Sequence, residues 1–206
     1  MKEFEKMAAG KIYDPNRPEL AKLRSDAHDF CLEFNLLKDR DPKKIEMLQK
    51  MWPDAKDLYL QGPIFFDYGV LTSFGEQCYA NYNFCVVDVC PVKIGNHVYF
   101  GPNVSILTPM HPFLAKERNG YIHEDGYLTD KEYGKPITIE DDVWICGNVV
   151  IVGGVTIGHD SVIGAGSVVT RDIPSNVLAA GVPCKVIRGL DENDRMNVWD
   201  TYTNEK

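Results

Sequence analysis

The sequence has no apolar run approaching the roughly 20 residues that span a bilayer. Its first residues, MKEFEKMAAGKIYD, carry acidic side chains and no apolar core, so no secretory leader is expected and the chain is placed in the cytoplasm. Positive charge is in deficit: 22 Lys and Arg against 30 Asp and Glu leave a net charge of -8. That balance argues against a general nucleic-acid binder, though a local basic pocket can coexist with an acidic surface. The six cysteines include no Cys-x-x-Cys pair, and no His/Cys group has zinc-finger spacing. Neither a disulfide framework nor a metal site is expected, and Cys78, Cys90 and Cys146 read as small buried hydrophobes.

What the sequence does have is a period of six. Residues 139 to 168 form five unbroken hexads, opened by Ile139, Ile145, Ile151, Ile157 and Ile163, with Val169 starting the next. The fifth place holds Val143, Val149, Val155, Ser161 and Ser167. This is neither the 3.6 period of a helix nor the alternation of a hairpin strand. It suits a short strand and a tight turn repeated so that equivalent side chains stack, the signature of a short-repeat β-solenoid. Phe74, Ala80, Val86 and Val92 carry the same beat. It slips by two residues at Ile94, which implies a corner adjustment near Pro91, and resumes at Phe100 and Ile106.

Residues 1–55 differ. A helix is expected near Pro18, with Leu20, Leu23, Ala27, Phe30, Cys31, Phe34 and Leu37 at helical spacing. A second is expected from Pro42, using Ile45, Leu48, Met51 and Trp52 before Pro53 stops it. Both stripes need a surface to cover, and the open end of a solenoid needs a cap. The expected organisation is therefore a helical cap over 1–55, a solenoid over 56–190 and a polar tail over 191–206. The rhythm breaks over 112–136, a polar stretch too long for an ordinary connection and read as an excursion from one corner. After Val169 the chain is expected to leave the repeat.

The hexads resemble those of the left-handed parallel β-helix acyltransferases. The segments MAAGKIYD, FFDYG, CYANYNFCVVDVCPVKIG, NVSILTPMHP and VWICGNVVIVGGVTIGHDSVIGAGSVVTRDIPSNVLAAGVPCKVI narrow the resemblance to the galactoside and maltose O-acetyltransferase group. That resemblance implies a mainly β chain wound as a left-handed parallel β-helix, with an N-terminal helical segment and a long loop excursion. It also implies acetyl transfer from acetyl-CoA to a hydroxyl of a sugar or sugar-like acceptor, and a homotrimer with sites between subunits.

A hydroxyl is a poor nucleophile while it holds its proton, and a neutral imidazole suits the role of base. His111, which opens the excursion, matches the family's histidine and is the first candidate. No nucleophile-elbow or Cys/His signature calls for an acyl-enzyme, so direct attack on the thioester is expected. By resemblance, a backbone N–H near Gly147 stabilises the oxyanion, and Asn81 orients the acceptor. Asp67 and Asp88 match acceptor-pocket positions, with Asp14 or Asn16 as further acceptor contacts near the N-terminus. Where many relatives carry a second acid after Asp88, this chain has Val89. Trp144, Ala165 and Gly166 are candidate walls for the pantetheine arm. Thr170, Arg171, Lys185 and Arg188 are candidates at the phosphate end of CoA.

Other readings are weaker. A xenobiotic O-acetyltransferase would keep the fold and change the acceptor, but the N-terminal helices favour the sugar group. A β-helix carbonic anhydrase needs three zinc-binding histidines, and His97, His111 and His159 lack that family's spacing. A non-catalytic binding module is disfavoured by His111 and Asn81.

Overall fold

The computed structural model describes residues 1–198. Its body is a left-handed parallel β-helix of triangular cross-section. The chain visits three faces in turn. The first face stacks Thr72–Phe74, Val92–Ile94, Ile137–Ile139 and Thr156–Ile157. The second begins with Tyr59–Leu60, Tyr79–Ala80, Tyr99–Phe100, Trp144–Ile145 and Val162–Ile163. The third stacks Ile64–Phe66, Phe84–Val87, Ser105–Leu107, Val150–Val152 and Val168–Val169.

The hexad isoleucines Ile139, Ile145, Ile151, Ile157 and Ile163 are at most 1% exposed and fill the prism. Parallel pairing sets like residues above one another, as in Ile145↔Ile163 and Ile139↔Ile157. Toward the N-terminal end the core widens, and aromatic rings replace aliphatic chains: Phe66, Phe74, Phe84 and Phe100 pack in sequence under Trp52. The two-residue slip at Ile94 has a plain cause. The chain takes two residues more than a hexad to pass from inward Val86 to inward Ile94, and Val92, two places earlier on the same strand, points inward as well.

Helices α1 (Glu3–Ala8), α2 (Pro18–Leu36) and α3 (Pro42–Met51) precede the coil. Proline at the first helical position of α2 and α3 loses no hydrogen bond there. In α3 the Asp41 side chain also caps the Lys43 N–H. Helix α2 buries Leu20, Ala27, Cys31 and Phe34; Cys31 and Phe34 join the core of the coil, while Leu20 joins a second cluster with Met7, Tyr13, Tyr68 and Val89. Trp52 locks α3 down by donating its indole N–H to the carbonyls of Gly69 and Thr72. In α3 the buried face is Met47 and Leu48, while Ile45, expected inside, is 58% exposed. Among the described residues no helix is long and apolar enough to cross a membrane.

The chain does not leave the coil at Val169, as the sequence suggests. Ile173 bridges Ile157, and Val177–Ala180 adds a strand to the second face. Its register is hidden by the polar TRDIPSN, yet Ile173, Val177 and Ala179 are buried. Lys185–Gly189 then folds back antiparallel and covers that edge. A short 3₁₀ turn, Glu192–Asp194, follows; the expected polar tail beyond 198 lies outside the described residues. The excursion is ordered too. It holds helix α4 (Ala115–Arg118), a hairpin pairing Tyr121–Ile122 with Leu128–Thr129, and a return strand Tyr133–Gly134.

Candidate active site

His111 leaves the edge between the third and first faces, directly after Pro109–Met110. That strand pairs antiparallel with Tyr133–Gly134, so the start and the end of the excursion lie side by side. The pairing sets two carboxylates against the half-exposed imidazole. Asp130 Oδ2 is 3.6 Å from Nδ1, and Glu132 Oε1 is 3.9 Å from Nε2. Glu132 accepts a 2.6 Å hydrogen bond at Oε2 from the hydroxyl of Tyr13, which is itself buried. Two backbone bonds between Tyr13 and Glu132 reinforce the contact. Burial pushes the Glu132 carboxyl above its ordinary range, against the pull of the Tyr13 hydroxyl. The Tyr13 phenol is pushed up by burial as well, so it remains a donor.

Two expected acceptor contacts are placed otherwise. Asp14 is buried under the hairpin, where Tyr127 and Thr129 donate their hydroxyls to its carboxylate and Asn16 donates its backbone N–H. It clamps the excursion instead of facing a ligand. Asp88 is fully buried at a corner: Oδ1 accepts the N–H groups of Tyr68 and Gly69, and Oδ2 accepts the Thr72 hydroxyl. The corner of the preceding coil, residues 67–71, leaves two backbone donors pointing inward, and this carboxylate satisfies them. Asn16 is exposed, with its side-chain amide on the Leu128 carbonyl. Asp67 remains accessible. It meets His28 Nε2 at 3.2 Å, on a cleft of about 320 Å³ between α2 and the third face, walled by Leu32, Phe65, Cys85 and Val87.

The remaining candidates fall into two groups. Asn81 and Gly147 sit on the edge between the second and third faces, where Asn83, Asn103 and Asn148 stack their side-chain amides in left-handed turns. The Asn81 side-chain carbonyl accepts the N–H of Tyr82, a local turn bond. The N–H of Gly147 has no hydrogen bond among the described residues, while its carbonyl accepts from Gly166. Ala165 and Gly166 are exposed one coil further on. Trp144 stands half-exposed on the second face in register with Tyr99 and Val162. Lys185 and Arg188 lie on the final hairpin, and both guanidinium amino groups of Arg188 are engaged by Asp194. Thr170 and Arg171 are exposed and follow a third-face strand, so they share the His111 edge.

One chain therefore does not bring His111 together with Gly147 and Asn81. They occupy opposite edges of the third face, whose three-residue strands span about 10 Å. Between the edges the outward side chains are mostly apolar: Phe65, Cys85, Ser105 and Val150 in one column, Val87, Leu107 and Val152 in the next. On the first face the corresponding outward column is Ser73, Lys93, Thr138 and Thr156.

Asp130, Glu132 and Tyr13 are absent from the sequence-derived site. The only signal was the acidic character of the excursion, and the partnership of Tyr13 with Glu132 spans 119 residues. His111, Asp130 and Glu132 place one ligand atom each within 4.8 Å of one another, a spacing a cation could bridge. One oxygen of Glu132 is already taken by Tyr13, and the trio presents an imidazole flanked by two carboxylates.

A stacked-hexad prism with an imidazole at one edge is a frame used by hexapeptide-repeat transferases. Residues 136–171 match the bacterial transferase hexapeptide (six repeats) family, and residues 6–51 match the maltose acetyltransferase hexapeptide capping motif. The chain is 37% identical over 200 residues to galactoside O-acetyltransferase of Escherichia coli K12, covering 96% of this chain and 94% of that protein. The crystal structure of a maltose O-acetyltransferase from Clostridium difficile 630 superposes with a TM-score of 0.83 at 41% identity, covering 93% of this chain and 99% of that one. A hexapeptide-repeat acetyltransferase from Vibrio cholerae, solved with acetyl coenzyme A, gives 0.81 at 34% identity, covering 93% and 100%. The chain belongs to the hexapeptide-repeat acetyltransferases, in their galactoside and maltose O-acetyltransferase branch.

Proposed function

We propose that the protein is a homotrimeric O-acetyltransferase that moves the acetyl group of acetyl-CoA to a hydroxyl of a sugar or sugar-like acceptor, with His111 as general base. One observation carries this reading. The half-exposed imidazole and the Gly147 N–H, which has no hydrogen bond among the described residues, stand on opposite edges of one mostly apolar face. Burying that face against a second copy sets the His111 edge of one protomer beside the Gly147 edge of its neighbour.

His111 takes the acceptor proton as the hydroxyl oxygen attacks the thioester carbonyl carbon. The tetrahedral oxyanion is met by the Gly147 N–H, a donor that needs no reorganisation at the moment of reaction. Collapse breaks the carbon–sulfur bond, and the imidazolium returns its proton to the departing thiolate, leaving acetyl ester and free CoA. The cleft beside Asp67 supplies a carboxylate that can accept two sugar hydroxyls. Trp144, Ala165 and Gly166 wall the pantetheine arm, with Thr170, Arg171 and Lys185 toward the phosphates. A cytoplasmic location goes with this reading, since that is where acetyl-CoA is supplied.

The test is release of free CoA from acetyl-CoA with a panel of sugars, in the wild type and in His111→Ala. The variant is expected to lose roughly 10²–10⁴-fold in turnover. Turnover equal to the wild type in a folded variant removes the base from the mechanism.

A further inference from the structure

The two carboxylates beside His111 are not equivalent. Glu132 is anchored: the Tyr13 hydroxyl holds Oε2 at 2.6 Å, and a backbone bridge fixes its main chain to the N-terminal segment. The Asp130 side chain accepts no hydrogen bond among the described residues, and it remains 26% exposed. An imidazole acting as a base needs one nitrogen to donate to a fixed acceptor, which selects the tautomer, and the other to present a lone pair.

We propose that Glu132, held by Tyr13, is the positioning residue for His111, and that Asp130 is the carboxylate that meets the acceptor. This rests on His111 being the base. The nitrogen facing Glu132 carries the proton, and the 3.9 Å gap closes to a hydrogen bond with a shift of about 1 Å, as catalytic contacts do when substrate binds. The reacting hydroxyl then lies at the opposite nitrogen, where Asp130 stands 3.6 Å away. An acceptor with a second hydroxyl next to the reacting one places that neighbour on Asp130. The implied substrate class is a vicinal diol. The anchored position of Glu132 also gives Tyr13, far away in sequence, a role in the reaction through that carboxylate. The other charged groups acting on Glu132 are His111, Asp130 and Arg24.

The experiment compares Glu132→Gln, Tyr13→Phe, Asp130→Asn and His111→Ala in steady-state kinetics. The acceptors are a vicinal-diol sugar and its deoxy analogue lacking the neighbouring hydroxyl. Glu132→Gln should lower kcat on the order of 10²-fold with little change in acceptor KM, and should move the acid limb of kcat/KM to lower pH, because a negative charge beside the imidazolium is gone. Tyr13→Phe should show the same signs at smaller size, and it covers the case of a Glu132 variant that fails to fold. Asp130→Asn should raise KM for the diol about tenfold while leaving KM for the deoxy analogue in place, and the loss of a charge 3.6 Å from the imidazole should move the acid limb to lower pH with both acceptors. If His111→Ala is inactive while Glu132→Gln and Tyr13→Phe match the wild type in kcat and pH profile, the positioning role is wrong and the base stands. If Asp130→Asn raises KM equally for both acceptors, or for neither, the diol contact is wrong. An active His111→Ala overturns the underlying reading instead.

Discussion

The phenol of Tyr127 donates a 2.7 Å hydrogen bond to Oδ2 of Asp14, joining the excursion to the N-terminal segment across 113 residues of chain. Thr129 donates to the other oxygen, the Asn16 amide reaches the Leu128 carbonyl, and Arg17 pairs with Asp125 at 3.2 Å. The hairpin is thus held by polar contacts around one buried carboxylate, and two of its apolar side chains, Ile122 and Leu128, are exposed.

Asp14→Ala should therefore loosen the hairpin without unfolding the prism. Limited proteolysis within residues 119–131 should accelerate about tenfold, the equivalent of losing roughly 1.4 kcal/mol of local stability. Acid should do the same to the wild type. Burial pushes the Asp14 carboxyl up, but the hydroxyls of Thr129 and Tyr127 and the Asn16 N–H outweigh it and hold it below its ordinary value. A depressed carboxylate contributes stability above its unfolded pKa and loses it as pH falls through the folded one. Faster cleavage is expected below about pH 4. Unchanged cleavage in both cases would mean the clasp holds nothing.

Asp88 titrates with the opposite sign. Burial dominates over the hydrogen bonds from Tyr68, Thr72 and Gly69 and raises its carboxyl to about 6. A raised acid binds its proton more tightly in the folded state, so stability falls as pH rises from the unfolded pKa through the folded one, a window of about pH 4 to 6. Asp88→Asn keeps the shape and removes this titration. The difference in urea stability between wild type and variant should change by up to about 3 kcal/mol across that window. A difference independent of pH contradicts the assignment.

Two glycines on the Gly147 edge should respond differently to alanine. A Cβ at Gly101 would lie 2.5 Å from the backbone nitrogen of Gly147, where one coil stacks on the next and nothing flexible can yield. Gly166 has open space around it but a φ of +72°. Gly166→Ala should cost about 1–2 kcal/mol from the left-handed conformation alone. Gly101→Ala should cost more, and should also depress kcat by displacing the Gly147 N–H. Equal melting shifts for the two would contradict the stacking argument.

Leu107 lies in the middle of the outward apolar column of the third face, between Val87 and Val152. Leu107→Lys should give a folded chain that sediments as a monomer and turns over no acceptor, because a charge buried in an apolar contact is not tolerated. A trimer of wild-type activity would show that this face is not the interface.

Much of the fold was legible because stacked coils repeat their constraints. Each isoleucine from Ile139 to Ile163 meets the same environment, so the sequence shows a rhythm that no single position would reveal. The helices at Pro18 and Pro42 were legible from local rules. The final coil was not, because Ile173 and Val177 are separated by polar corner residues that break the beat. His111 was singled out through the family's motif, and its place at the start of the excursion was legible there too. Asp14 and Asp88 were read as acceptor contacts because a carboxylate in a motif carries no mark of burial; the hairpin covers one, and Tyr68, Gly69 and Thr72 of the preceding coil enclose the other.

The linear order of residues by itself determined the coil: a period of six with one apolar residue per straight side stacks, because only stacking hides that residue and pairs the backbone at once. Chain folding alone decided which acids face the imidazole, since Tyr13, Asp130 and Glu132 converge through antiparallel contacts between segments with no common period. It also decided that His111 and Gly147 stand on opposite edges of one face, a separation set by the length of a three-residue strand.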